Sequence, residues 1–145
     1  MNEVEFVDEM QIEHACARLI QRFALLNDAG DFETLTAMFT EDGVFARPSA
    51  PNDPIHGRHN ILRAFQARPR RLSRHLTSNI VIDVLSATEA QAISYIILYA
   101  SAAEKEDPVA SPPHLIGTFR DRMRLVNGRW LFSERLGQVD LKIVG

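Results

Sequence analysis

Two residues stand out for chemistry beyond packing, and they lie far apart in the chain: Asp28 and His75. Asp28 sits in "FALLNDAGDFE", where the apolar rhythm of a helix runs out. Asp31, three residues on, has the position of a helix N-cap, whereas Asp28 has no such structural job. His75 opens the segment "RHLTSNIVID". Strand alternation puts His75, Thr77, Asn79 and Val81 on one face and Leu76, Ser78, Ile80 and Ile82 on the other. A carboxylate beside an imidazole orients the ring, fixes its tautomer and stabilises its protonated form, which makes the histidine a general base near neutral pH. The residues alone leave two arrangements open. In one, the polar row lines a cavity and Asp28 meets His75. In the other, the row is the wet outer side of a half-exposed sheet, and Asp28 is a solvated carboxylate set slightly unfavourably against the helix dipole.

Other chemistries find little support. The chain has no phosphate-binding glycine loop, no HExxH, no paired CxxC and no GxSxG nucleophile elbow. None of the five histidines, His14, His56, His59, His75 and His114, are spaced at i, i+4 on a helix, so neither a metal nor another cofactor is expected. Cys16, the one cysteine, allows no internal disulfide, and its neighbours Ala15, Leu19 and Ile20 suggest a buried helix face rather than a nucleophile. That fits a reducing cytoplasm. The start of the chain is acidic and unlike a signal peptide, and no apolar run approaches the roughly 20 residues that span a bilayer. A soluble cytoplasmic protein without membrane association is expected. A net charge of -3 with no block of like charge argues against nucleic acid. The one basic cluster, Arg68, Arg70, Arg71 and Arg74 beside Pro69, reads as a solvated connection between a helix and a strand.

The elements that must position Asp28 and His75 follow from periodicity. Ile12, Ala15, Cys16, Leu19, Ile20, Phe23, Ala24 and Leu26 recur at helical spacing, so one long amphipathic helix is expected from Asp8 to Asn27. Gly30 lets the backbone turn out of it, and Asp31 caps a shorter helix carrying Phe32, Leu35, Met38 and Phe39. "TEDG" reads as a turn, "VFAR" as a short strand and "PSAPNDPIHG" as a loop. A third helix follows, with Ile61, Leu62, Ala64 and Phe65 as its apolar stripe, and "RPRR" ends it. The period then changes to that of four long strands in meander order. Asn127-Gly128 joins the last two as a tight hairpin, and "AEKEDPVASPP" is a longer link between the second and third of them. Helices followed by strands, in 145 residues of which 46% are apolar, imply one α+β domain over residues 1–145. A curved, mainly antiparallel sheet would wrap three helices, with a core at its base and a cavity at its mouth.

Taken together, "FALLNDAGDFETLTAMFTEDGVF", "IHGRHNILRAF", "RHLTSNIVIDV", "AQAISYIILYA" and "GTFRDRMRLVNGRWLFSERL" resemble the SnoaL-like proteins of the NTF2-like superfamily, over nearly the whole chain. The resemblance implies the cystatin-like cone, with three N-terminal helices packed in a curved mixed sheet. It also implies a homodimer or higher homo-oligomer. Dehydratases and a dehydrochlorinase of that superfamily pair an Asp at the end of the first helix with a His that starts the strand after the third. Asp28 and His75 match those positions, and Asn79 matches an asparagine four residues on. The implied activity is that of a cofactor-independent lyase or isomerase, with Asp28 and His75 catalytic, acting on a hydrophobic, cyclic hydroxylated substrate. Phe23, Asn79, Ser94, Ile96 and Phe119 would bind that substrate, and Tyr95 or Tyr99 are further candidates to hold an oxygen. Scytalone dehydratase carries a tyrosine directly before its Asp, where this chain has Asn27. The alternative from the same superfamily is a non-catalytic partner like the small subunits of aromatic-ring-hydroxylating dioxygenases, whose ending "RWLFSERLGQVDLKIV" loosely resembles.

Overall fold

The structure, a computed structural model, describes residues 3–101 and 106–145, with side chains from residue 8 onward. Helix α1 spans Glu3–Ala29, α2 Phe32–Thr36 and α3 Arg58–Gln66. The strands are β1 Phe39–Ala46, β2 Ile55–His56, β3 Leu72–Val84, β4 Glu89–Ser101, β5 His114–Val126 and β6 Arg129–Ile143. They form one sheet in the order β2-β1-β6-β5-β4-β3. All pairs are antiparallel except β1 with β6. The expected α+β cone, helices held against one curved face of a mixed sheet, is the architecture observed.

Each helix is placed by its apolar stripe. Cys16, Leu19, Ile20, Phe23 and Ala24 are the buried apolar positions of α1, and the first four share one core with Phe39, Phe45, Ile96, Phe119 and Phe132 from the sheet. Ile61 and Phe65 of α3 complete the same core. Inward residues alternate along the strands, so Ala90, Ala92, Ser94 and Ile96 of β4 are all buried while Tyr95 and Tyr99 point outward. Burial pushes the Cys16 thiol up to about 12, which leaves it a packing residue at neutral pH. No helix of the described residues is long and apolar enough to cross a membrane.

Two local readings differ, and a third falls partly outside the described residues. First, α2 stops at Thr36, whose hydroxyl donates to the Phe32 and Glu33 carbonyls, and Phe39 belongs to β1 rather than to a helix. Phe39 pairs with Phe132, and Thr40–Gly43 lie within β1, where the register shifts before Val44. An aromatic residue gains more from a sheet position beside another buried aromatic than from one further helical turn. Second, the proline-rich loop ends in the two-residue strand β2, paired with Val44 and Phe45, which is too short to show a period in the sequence. Third, the first residues of the long link before β5, 103–105, lie outside the described residues. The Asn127-Gly128 hairpin forms as expected, both residues having positive φ.

Candidate active site

Asp28 is delivered by the way α1 ends. Gly30 adopts a φ of 72°, its N–H donates to the Asn27 carbonyl at 3.2 Å, and the Asp31 N–H reaches back to the Leu26 carbonyl at 3.1 Å. This is a Schellman stop, and it leaves Asp28 in the last helical turn. Asp31 then accepts from the Thr34 N–H as the cap of α2, so the two aspartates have separate jobs.

Opposite that turn, β3 begins. Ser73 and His75 share one face of the strand, and both reach Asp28. Ser73 Oγ donates to Asp28 Oδ1 at 2.9 Å, the His75 main-chain N–H donates to Oδ2 at 2.9 Å, and His75 Nδ1 lies 2.6 Å from Oδ1. Both side chains are 11% exposed. Burial alone would raise the Asp28 carboxyl, but the hydrogen bonds and charge of His75, with Ser73, outweigh it and hold the group below its ordinary value. An ionised Asp28 accepts from Nδ1–H, so the neutral ring presents Nε2 as its basic nitrogen.

His75 lines a cavity of about 190 Å³ at the mouth of the cone. Phe23, Phe45, Phe65, Ile96, Leu98 and Phe119 form apolar walls, while Asn27, Arg47, Arg68 and Arg71 join His75 as polar lining. Gly117 and Gly137 keep this end of the cone tight. A Cβ on Gly117 would lie 2.3 Å from the Gln138 carbonyl oxygen, and one on Gly137 would lie 2.8 Å from Pro48 and 2.9 Å from Phe119. Among the described residues, no three His, Cys, Asp or Glu side chains gather as a metal site requires.

Of the residues expected from the sequence, Asp28 and His75 come together, and Phe23, Ile96 and Phe119 line the cavity. Asn79 and Ser94 do not. Pairing runs Ser78 to Tyr95 and then Val81 to Ile93, so β3 carries one extra residue opposite Ser94. Asn79 takes that place with a φ of 53° and is exposed, while Ile80 and Ile82 turn inward to the core. Alternation counted through the bulge would wrongly put Asn79 beside His75. Ser94 has the right face but the wrong depth. It is 0% exposed, its hydroxyl has no partner, and it is not part of the cavity lining. Tyr95 and Tyr99 lie on the outer face.

The basic cluster also needs correction, because Arg68 and Arg71 line the cavity rather than serving only as a solvated connection. Arg68 lies over the rings of Phe32 and Phe65, at 5.2 and 4.9 Å from their centroids, and donates to Asn27 Oδ1 at 2.8 Å. Burial, then repulsion from Arg71 and Arg47, pushes its guanidinium down to about 10. Arg47 directly follows the end of β1, two residues beyond Phe45, and lines the cavity on the same side. That spacing is a signal present in the sequence. Behind the aromatic wall, Arg135 is 0% exposed, 3.8 Å from the Phe119 centroid and 4.4 Å from that of Phe23, and it donates to buried Asp121 at 2.6 Å. Burial pushes the Asp121 carboxyl up and the Arg135 guanidinium down, each opposed by the other's charge.

The same arrangement of helices and sheet recurs in solved structures. A protein provisionally named a scytalone dehydratase, from Novosphingobium aromaticivorans, superposes with a TM-score of 0.83 at 23% identity, covering 97% of this chain and 91% of that one. A hexachlorocyclohexane dehydrochlorinase (LinA type 2) gives 0.81 at 14% identity, covering 96% and 92%. A protein from Catenulispora acidiphila, solved in complex with S-DNPA, gives 0.72 at 26% identity, covering 90% and 95%. No curated protein sequence matches the chain. Residues 8–136 match the SnoaL-like domain, and the chain therefore belongs to the SnoaL-like family.

Proposed function

We propose that the chain is a lyase of the dehydratase type, which removes a proton from carbon and expels a β leaving group. The observation that carries this reading is His75, held by Asp28 at 2.6 Å through Nδ1 while its ring lines an apolar cavity. Nε2 takes the proton from a substrate C–H bond. The electron pair of that bond forms the new C=C bond as the β C–O bond breaks, and the proton leaves with the hydroxide as water. Asp28 keeps the ring in the productive tautomer and offsets the positive charge that develops on it. The phenylalanine walls exclude water and favour a hydrophobic, cyclic hydroxylated substrate. A protein provisionally named a scytalone dehydratase and a dehydrochlorinase, both among the structural neighbours, are named for eliminations, which supports the reaction class. The same base would serve an isomerase by returning its proton to a different carbon.

The test is a screen of hydroxylated monocyclic terpenoids and small aromatic polyketides for loss of water by mass spectrometry, with His75→Ala run in parallel. Elimination is expected from the parent protein and loss of at least about a hundredfold in the variant, with thermal unfolding of the variant confirming that it is folded. Elimination that survives in folded His75→Ala would sink the assignment.

A further inference from the structure

We propose that Arg47, Arg68 and Arg71 form an anchor for a substrate carboxylate at the mouth of the cavity, so that the natural substrate is a carboxylic acid with an apolar body. Three guanidinium groups line one small cavity. Among the described residues, none of them forms a salt bridge with a carboxylate. Asp28 draws on both Arg68 and Arg71, but spends both its oxygens on Ser73 and His75. Clustered like charges repel, and partial burial makes the repulsion stronger. Two of the three are nonetheless held in place. Arg68 is fixed by Asn27 and by the Phe32 and Phe65 rings, and Arg47 by the Ala64 carbonyl at 2.7 Å. The Nε atoms of both Arg47 and Arg68 are buried without a partner. Oriented guanidinium donors kept in excess of the available acceptors suit an incoming anion.

The rest of the cavity selects a carboxylate on an apolar body. A planar pair of oxygens matches the guanidinium fork, while the phenylalanine walls suit an apolar body, with His75, Asn27 and Ser49 as the other polar lining. A space of about 190 Å³ takes a body of about one six-membered ring, since cavities of about 150 Å³ hold benzene. The inference rests on the lyase reading only in taking this cavity as the substrate site.

Binding separates the two ideas. The protein, labelled with nitrogen-15, is titrated at low salt with 3-phenylpropanoate, 3-phenylpropanamide and phenyl phosphate, and amide shifts give the affinities. The carboxylate is expected to bind at least about tenfold more tightly than its amide. The preference should weaken with added salt and fall in Arg71→Met and in Arg68→Met. Arg71→Met removes a more exposed side chain and serves where Arg68→Met, which loses ring contacts, unfolds. Arg68→Lys keeps the charge without the fork and should recover only part of the preference. Equal affinity for acid and amide, no carboxylate binding at about 10 mM, or a preference unchanged in folded Arg71→Met overturns the proposal. So does tighter binding of phenyl phosphate, which would assign the anchor to a phosphate ester. His75→Ala is expected to keep the carboxylate preference. Elimination from neutral substrates with no acid preference would remove the anchor and leave the lyase, while acid preference without any elimination would do the reverse.

Discussion

Both oxygens of Asp28 are engaged by one residue, Oδ1 facing the His75 ring and Oδ2 accepting from the His75 main-chain N–H. The carboxylate thus fixes the ring and the first residues of β3 together, and ties them to the last turn of α1. Two atoms of the same residue bound to one carboxylate leave little rotational freedom between them. That is the preorganisation a general base needs, because the ring must not search for its angle when substrate arrives.

The first expected consequence concerns the tautomer. With Asp28 ionised and Nδ1 at 2.6 Å, the neutral His75 ring carries its proton on Nδ1. Long-range nitrogen-15 NMR of the imidazole distinguishes the two tautomers directly. In Asp28→Asn the amide can offer either a donor or an acceptor, and a mixture is expected. A neutral parent ring protonated on Nε2 would rule out Nε2 as the base.

Stability should depend on pH through the same contact. The Asp28 carboxyl is held below its ordinary value of 3.8. A depressed folded-state value stabilises the fold above the unfolded-state value, and the contribution is lost as pH falls through the folded one. At pH 7 Asp28→Asn should therefore unfold more easily, by about 1–3 kcal/mol for the disturbed hydrogen bonds. The difference should shrink below about pH 4. Denaturant titrations of both proteins at several pH values measure it, and a difference that stays constant with pH would contradict the contact's electrostatic role.

Asn79 offers a test of the bulge. Its φ of 53° lies in the left-handed region, where a β-branched side chain is strained and glycine is not. Asn79→Val is expected to cost about 1–2 kcal/mol, and Asn79→Gly close to nothing, by urea midpoints. Equal effects would mean that the extra residue is not held in this conformation.

That bulge also marks where the sequence stops being legible. The stop of α1, the cap at Asp31 and the Asn127-Gly128 hairpin are local and were readable from glycine, aspartate and apolar spacing. Long strands announce themselves by period. One inserted residue shifts the phase of everything after it, and nothing in "LTSNIVID" says which residue is the extra one. The arginines fail for another reason. Charge in "RPRR" looks the same whether Arg68 meets water or lies over Phe32 and Phe65, because Phe32 comes from α2 and the cavity is assembled only by the fold. The meeting of Asp28 and His75 was likewise a matter of tertiary placement, and only the family resemblance singled it out from the solvated reading.

The buried pair Asp121–Arg135 gives the last prediction. Both side chains are 0% exposed, and Asp121 Oδ1 and the Nε and Nη2 atoms of Arg135 have no hydrogen-bond partner. Three phenylalanine rings around the guanidinium supply cation–π contact in place of the missing acceptors. Removing one partner strands the other charge in an apolar wall. Arg135→Met or Asp121→Leu alone should therefore destabilise by about 3–5 kcal/mol. The double variant loses both charges and keeps apolar volume, so it should recover most of that loss. Thermal and urea unfolding of the three variants close the cycle. If the double variant is as unstable as the sum of the singles, the pair is not coupled, and Arg135 holds the aromatic wall through its ring contacts alone.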